Sequence, residues 1–121
     1  MLSSLTRYAR SLFTSAPISQ EQAQAAKETV ESLVGSPIAV FSKSYCPYCT
    51  EAKSILGSHG VASRMKVIEL DREALGGPIQ QYLAEKAGAT KIYIKGQNIG
   101  GCSDLKKLQQ QGKLKDMLAQ A

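Results

Sequence analysis

Cys46 and Cys49, with only Pro47 and Tyr48 between them, put two thiols within one helical turn of each other. Sulfurs so placed meet with little rearrangement, which permits a reversible disulfide and thiol–disulfide exchange. Such a pair has two other uses. A structural zinc site built on Cys-x-x-Cys ordinarily needs a second such pair or a His-x-x-x-His partner. The remaining candidates are one cysteine, Cys102, and one histidine, His59, so no metal is expected. Inert packing does not explain why the pair stands where a strand-like run gives way to a helical one. Redox chemistry is the better reading.

The flanking residues give the pair its reactivity. Pro37 to Phe41 is a short apolar run of strand type, and Ala52, Ile55 and Leu56 recur at helical spacing. Pro47 suits the first helical position, where its missing N–H would have been unpaired in any residue. Cys46 then falls at the N-cap, with the N–H groups of the first turn aimed toward its sulfur. The helix dipole and the cation of Lys43 should lower its pKa from the usual value of about 8.5. His59, near the end of the same helix, reads as solvated or as a C-cap.

With 121 residues the chain makes one small domain, and its three cysteines do not suggest a secreted disulfide framework. No apolar run approaches the length of a membrane span. The net charge of +5 does not indicate nucleic-acid binding, because the basic residues are dispersed, Trp is absent and no aromatic stripe interleaves with them. It favours anionic small molecules. Residues 1–18 differ from the rest: Arg7 and Arg10 accompany several serines, and the first carboxylate is Glu21. Drawn as a helix, Leu2, Leu5, Ala9, Leu12 and Phe13 share a face. This is the pattern of a mitochondrial transit peptide, which would place the protein in the matrix; the alternative is an extra N-terminal arm and a cytoplasmic protein. Residues 19–121 form the domain proper.

Within that domain, Ser19 and Gln22 read as a capping box opening a helix with Ala23, Ala26, Val30, Leu33 and Val34 on its buried face, ended by Gly35 and Pro37. The strand Ile38–Phe41, the dithiol turn and its helix follow. Lys66 to Leu70 is a second strand, and Gly76-Gly77-Pro78 opens a helix buried through Ile79, Leu83 and Ala87 and ended by Gly88. Ile92–Ile94 and Gln97–Ile99 form a hairpin around Lys95-Gly96. Ser103 or Asp104 caps the next helix (Leu105, Leu108), and Gly112 separates it from a last one (Leu114, Met117, Leu118). The order predicts an α/β fold with a small mixed sheet, its first two strands parallel and its last two antiparallel. The Cys pair then lies beyond the carboxyl end of a strand, where open α/β sheets bind ligands.

Three segments, Lys43-Ser44-Tyr45-Cys46-Pro47-Tyr48-Cys49, Tyr93-Ile94-Lys95-Gly96 and Ile99-Gly100-Gly101-Cys102-Ser103-Asp104-Leu105, in this order, resemble a dithiol glutaredoxin of the thioredoxin fold. The likeness spans about residues 20–120. It implies a four-stranded mixed sheet flanked by helices and a monomeric, glutathione-dependent thiol–disulfide oxidoreductase. Such an enzyme reduces protein–glutathione mixed disulfides and some protein disulfides. Cys46 would be the nucleophile and Cys49 the resolving thiol. Lys43 and Gln80 would meet the glycine-end carboxylate of glutathione, and Tyr48 would line its groove. Ser103, Asp104 and the Gly101–Cys102 backbone would hold the γ-glutamyl end. Cys102 is either a regulatory thiol or a small packed residue.

The chain departs from the family pattern at one place. Glutaredoxins carry Thr-Val-Pro, with a cis proline, before the strand that corresponds to Ile92–Ile94. Here the residues are Ala87-Gly88-Ala89-Thr90-Lys91, and Ala89 and Thr90 are the nearest candidates for the backbone that pairs with the cysteinyl part of glutathione. A cis bond without proline costs ~3 kcal/mol or more, so a rebuilt loop or weaker glutathione binding is expected, up to a low-activity form. A glutathione-ligated iron–sulfur carrier is the other alternative, disfavoured by Pro47 and the resolving Cys49.

Overall fold

The computed structural model describes residues 18–87 and 91–121, so the presequence reading of residues 1–17 and the expected stop at Gly88 lie outside the described residues. Helix α1 (Gln20–Val34) opens on the expected box: Ser19 Oγ accepts the Gln22 N–H and Gln22 Oε1 accepts the Ser19 N–H, each at 3.1 Å. Its cap Gly35 stays right-handed, at φ −70°. Ala26 and Val30 are buried and Leu33 and Val34 half-buried. Ala23, expected on the buried face, is exposed instead and borders a shallow depression against α3 (Gly76–Ala87).

Strand β1 (Ile38–Ser42) is buried at all five positions. It is central, pairing in parallel with β2 (Met65–Glu69), Ile38 opposite Met65, and antiparallel with β3 (Ile92–Ile94). Strand β4 (Gln97–Gly100) completes the order β2-β1-β3-β4. Lys95 and Gly96 form the hairpin turn with φ 54° and 77°, the doubly left-handed geometry of a two-residue hairpin, where glycine relieves one of the two strained positions. The second strand lies one residue earlier than its apolar pattern suggests. Leu70 begins a 3₁₀ turn (Leu70–Arg72), and its buried side chain serves the core from there. Gly76 packs on that turn so closely that a Cβ would collide with the Leu70 carbonyl.

The period-two alternation of the strands divides the core. Ile38, Val40, Ile92 and Ile94 face helices α2 (Pro47–Ser58), α4 (Cys102–Gln110) and α5 (Lys113–Gln120), meeting Leu56, Leu105, Leu114 and Leu118. Ala39, Phe41 and Tyr93 face α1 and α3, meeting Val30, Ile79 and Leu83. Each fully buried Leu or Ile contributes about 2 kcal/mol of transfer free energy. Leu56 and Ala52 thereby clamp α2 on the sheet and fix where its first turn projects. Arg64 Nη1 donates to the Leu118 and Ala121 carbonyls at 3.3 and 2.7 Å, satisfying the last turn of α5. Among the described residues no helix is long and apolar enough to cross a membrane.

Candidate functional site

Beyond Ser42 the chain leaves the sheet and turns through Lys43, Ser44 and Tyr45 into α2. The turn is closed by the Cys46 N–H, which donates to the Lys43 carbonyl at 3.0 Å. It is also tied from outside. The carboxylate of Asp71, in the 3₁₀ turn after β2, accepts the Ser44 N–H at 2.9 Å and the Ser44 hydroxyl. That hydroxyl, and then the N–H, hold the Asp71 pKa below the usual carboxylate range. The exit of β2 thus braces the approach to the cysteines.

Cys46 is the N-cap of α2, extended at φ −89° and ψ 118°, with Pro47 at the first helical position. Its carbonyl accepts the Thr50 N–H at 3.1 Å and the Thr50 hydroxyl at 3.2 Å. No first-turn N–H reaches the sulfur with the geometry of a capping hydrogen bond. The pKa of Cys46 is lowered nevertheless, because electrostatic attraction falls off with distance and angle less steeply than a hydrogen bond. The chief cause is the Cys49 N–H, followed by the Cys49 thiol, against partial desolvation; the Tyr48 N–H and the charge of Lys91 add to it. The cation expected in this role was Lys43. The charge of Lys91, which lies across the sheet end from α2, is among the causes of the lowering.

Cys49 is 5% exposed, whereas Cys46 is half-buried, so one sulfur faces outward and the other inward. Lys91 Nζ stands 3.9 Å from the Cys49 sulfur. Both border a cavity of about 160 Å³ with an apolar floor that includes Val40, Phe41 and Ile92. Tyr48, Gly101 and Cys102 border it too. Tyr48 is 70% exposed, as is Tyr45, the residue before Cys46.

Helix α4 closes the far side. Its N-cap is Gly101, not Ser103 or Asp104 as expected: glycine offers no capping side chain, and Asp104 reaches back from the third helical position to accept the Gly101 N–H at 3.0 Å. Gly100, at φ 108°, leaves room for that carboxylate, and a Cβ there would run into it. Ser103 and Asp104 are exposed. The Cys102 sulfur lies 3.7 Å from Glu51 Oε2 and packs against the core. Burial, then the negative charge of Glu51, push its pKa up, so its thiol character persists where Cys46 ionises.

The structure therefore brings Tyr48, Cys49, Gly101 and Cys102 to one cavity, with Cys46 at the head of the same helical turn as Cys49. Lys43 is half-buried in the preceding turn and Gln80 is exposed on α3; neither borders the cavity. His59 is the backbone C-cap of α2, and its ring is half-buried with Nε2 enclosed, not solvated. Ala89 and Thr90 lie outside the described residues. Lys91 and Asp71 were missed by sequence reasoning. They contact their partners across 42 and 27 residues, and no local pattern signals such contacts. Among the described residues no group of three or more His, Cys, Asp or Glu side chains is placed to hold a metal ion.

Comparison with known proteins agrees with this geometry. The Glutaredoxin family model matches residues 38–99. Glutaredoxin-C1 of Arabidopsis thaliana is 37% identical over 115 residues, covering 92% of this chain and 90% of that protein. Glutaredoxin-1 of Rhizophagus irregularis is 42% identical over 97 residues, covering 77% and 94%. Among solved structures, a buckwheat glutaredoxin–glutathione complex superposes with a TM-score of 0.78 at 35% identity, covering 84% of this chain and 94% of that one.

Proposed function

The chain belongs to the glutaredoxin family, and on that premise we propose that it reduces protein–glutathione mixed disulfides, and some protein disulfides, at the expense of glutathione. One observation carries the reading: Cys46 sits at the mouth of α2 with its pKa lowered, one helical turn from the inward thiol of Cys49. A sulfur of lowered pKa carries more thiolate at neutral pH and is also a better leaving group.

The Cys46 thiolate attacks the glutathionyl sulfur of a mixed disulfide. The Cys46–glutathione bond forms, and the protein thiolate leaves and takes up a proton. A second glutathione thiolate then attacks the glutathionyl sulfur, releasing glutathione disulfide and restoring Cys46. On a protein disulfide, Cys46 forms a mixed disulfide with the substrate, and Cys49 displaces the substrate thiol as the Cys46–Cys49 bond closes. Two glutathione molecules then reduce that bond to two thiols and leave as glutathione disulfide.

The cavity takes a group of side-chain size, so the tripeptide lies along the surface above it. The exposed N-terminal turn of α4 suits the γ-glutamyl end, with N–H groups for the carboxylate and the exposed Asp104 for the ammonium. Lys43 and Gln80 are assigned to the glycine carboxylate, Tyr48 to the groove wall, and Ala89 or Thr90 to the cysteinyl backbone. Residues 1–18 are assigned to mitochondrial import on their arginines, serines and lack of acids. The test is reduction of a glutathionylated peptide by glutathione with Cys46→Ser and Cys49→Ser side by side. Loss with the first and retention with the second supports the roles; turnover by Cys46→Ser contradicts them.

A further inference from the structure

We propose that Lys91 stabilises the negative charge that Cys49 must carry when it resolves a Cys46 mixed disulfide, and so governs how readily the dithiol branch of the reaction is taken. The inference rests on the proposed function and assigns to it a residue outside the Cys-Pro-Tyr-Cys segment.

Cys49 is the inward sulfur, 5% exposed, and water can solvate little of any charge placed on it. A thiolate there is unfavourable unless a cation stands close. Lys91 Nζ, at 3.9 Å, is that cation. Its backbone is fixed on both sides: its carbonyl accepts the Phe41 N–H at 2.7 Å and its N–H donates to the Gly100 carbonyl at 3.2 Å. Residue 91 is therefore held by the sheet.

Among the described residues no carboxylate pairs with this ammonium. All ten carboxylate side chains of the chain fall in described segments, and the salt bridges found there join Lys53 to Glu69, Lys86 to Glu31 and Lys106 to Glu51. Two carboxylates touch residues that line the cavity: Glu51 at Cys102, whose charge Lys106 offsets, and Asp104, which accepts the Gly101 N–H. Among the described residues Lys91 is the cation of the cavity wall.

In the step concerned, the Cys49 thiolate attacks the Cys46 sulfur, the Cys46–Cys49 bond forms, and the bond from Cys46 to the bound thiol breaks. The leaving thiolate takes up a proton, and no further oxidant or reductant is involved. Lys91 acts before bond formation, when the charge resides on Cys49.

The test follows this single step in the full chain. Cys46 is loaded with glutathione disulfide or, separately, with the uncharged 2-hydroxyethyl disulfide, and decay of the mixed disulfide is followed by acid quench and mass spectrometry. Lys91→Met should slow the decay about tenfold with either loading group, a discounted value for a charge pair near 4 Å at a high effective dielectric constant. Lys91→Arg, which keeps the charge, should stay within about threefold of the parent. Equal rates in all three proteins overturn the proposal. An arginine variant as slow as the methionine one does so too, since packing and not charge would then be responsible. A deficit seen with glutathione but absent with the hydroxyethyl group also overturns it, because Lys91 would then be meeting the charge of the tripeptide. Failure of glutathione disulfide to load Cys46 while the hydroxyethyl compound loads it contradicts the glutathione reading instead, and the hydroxyethyl arm still decides the role of Lys91.

Discussion

Gly100→Ala should damage the α4 side of the site while leaving the cysteine turn in place. Gly100 has φ 108°, and a Cβ built there runs into the Asp104 carboxylate that caps Gly101. Holding alanine at that φ costs about 1–3 kcal/mol. Displacing the carboxylate from the Gly101 N–H costs about 1 kcal/mol more, the usual value of a lost N-terminal cap. The sum, about 2–4 kcal/mol, corresponds to a fall in the urea midpoint on the order of 1–2 M. Gly112→Ala is the control: its φ of 73° is also left-handed, but nothing lies near its missing Cβ, so only about 1–2 kcal/mol of backbone strain applies. Urea unfolding of the three proteins, with KM for glutathione measured alongside, separates the contributions. Gly100→Ala should be the least stable and show the raised KM, with alkylation of Cys46 little changed. Equal midpoints for the two variants, or an unaltered KM in Gly100→Ala, would refute the reasoning.

Asp71→Asn should flatten the acid limb of the stability profile. The folded-state pKa of Asp71 is depressed, so its contribution is present above the ordinary carboxylate pKa and lost as pH falls through the folded value. Thermal melts from pH 7 to pH 2 check this; an unchanged acid slope in the variant counts against the brace. The triple change Gly88→Thr, Ala89→Val and Thr90→Pro should tighten glutathione binding by calorimetry, and equal affinities would show that the missing proline is immaterial. Residues 1–18 fused to a fluorescent reporter should carry it to mitochondria, and a diffuse cytoplasmic signal would favour the plain N-terminal arm.

What could be read in the chain was what is local. Ser19 with Gln22, Cys46 with Pro47, and Lys95 with Gly96 each fix a helix start or a turn through residues at most three apart, and all three recur in the structure. Parallel pairing of β1 with β2 followed from the helix between them, and antiparallel pairing of β3 with β4 from their short turn. The α4 cap was misplaced because a glycine N-cap carries no side-chain signal, and Asp104 does the capping from inside the helix. The phase of α1 was right at Ala26 and Val30 but misleading at Ala23, where the neighbouring helix leaves a depression. Lys91 and Asp71 were invisible for a different reason. Their contacts exist only once β3 and the end of β2 come to rest beside β1, and a lone Lys or Asp reads as surface charge until then.

The chemistry depends most directly on the ionisation of Cys46 in the folded chain. Iodoacetamide alkylation, resolved by peptide mapping so that Cys46, Cys49 and Cys102 are followed separately, measures it across pH 4–10. The predicted Cys46 profile reaches half its maximum below the value of about 8.5 for free cysteine, with Cys102 reacting only at higher pH. A Cys46 that reacts at pH 7 no faster than free cysteine would contradict the account.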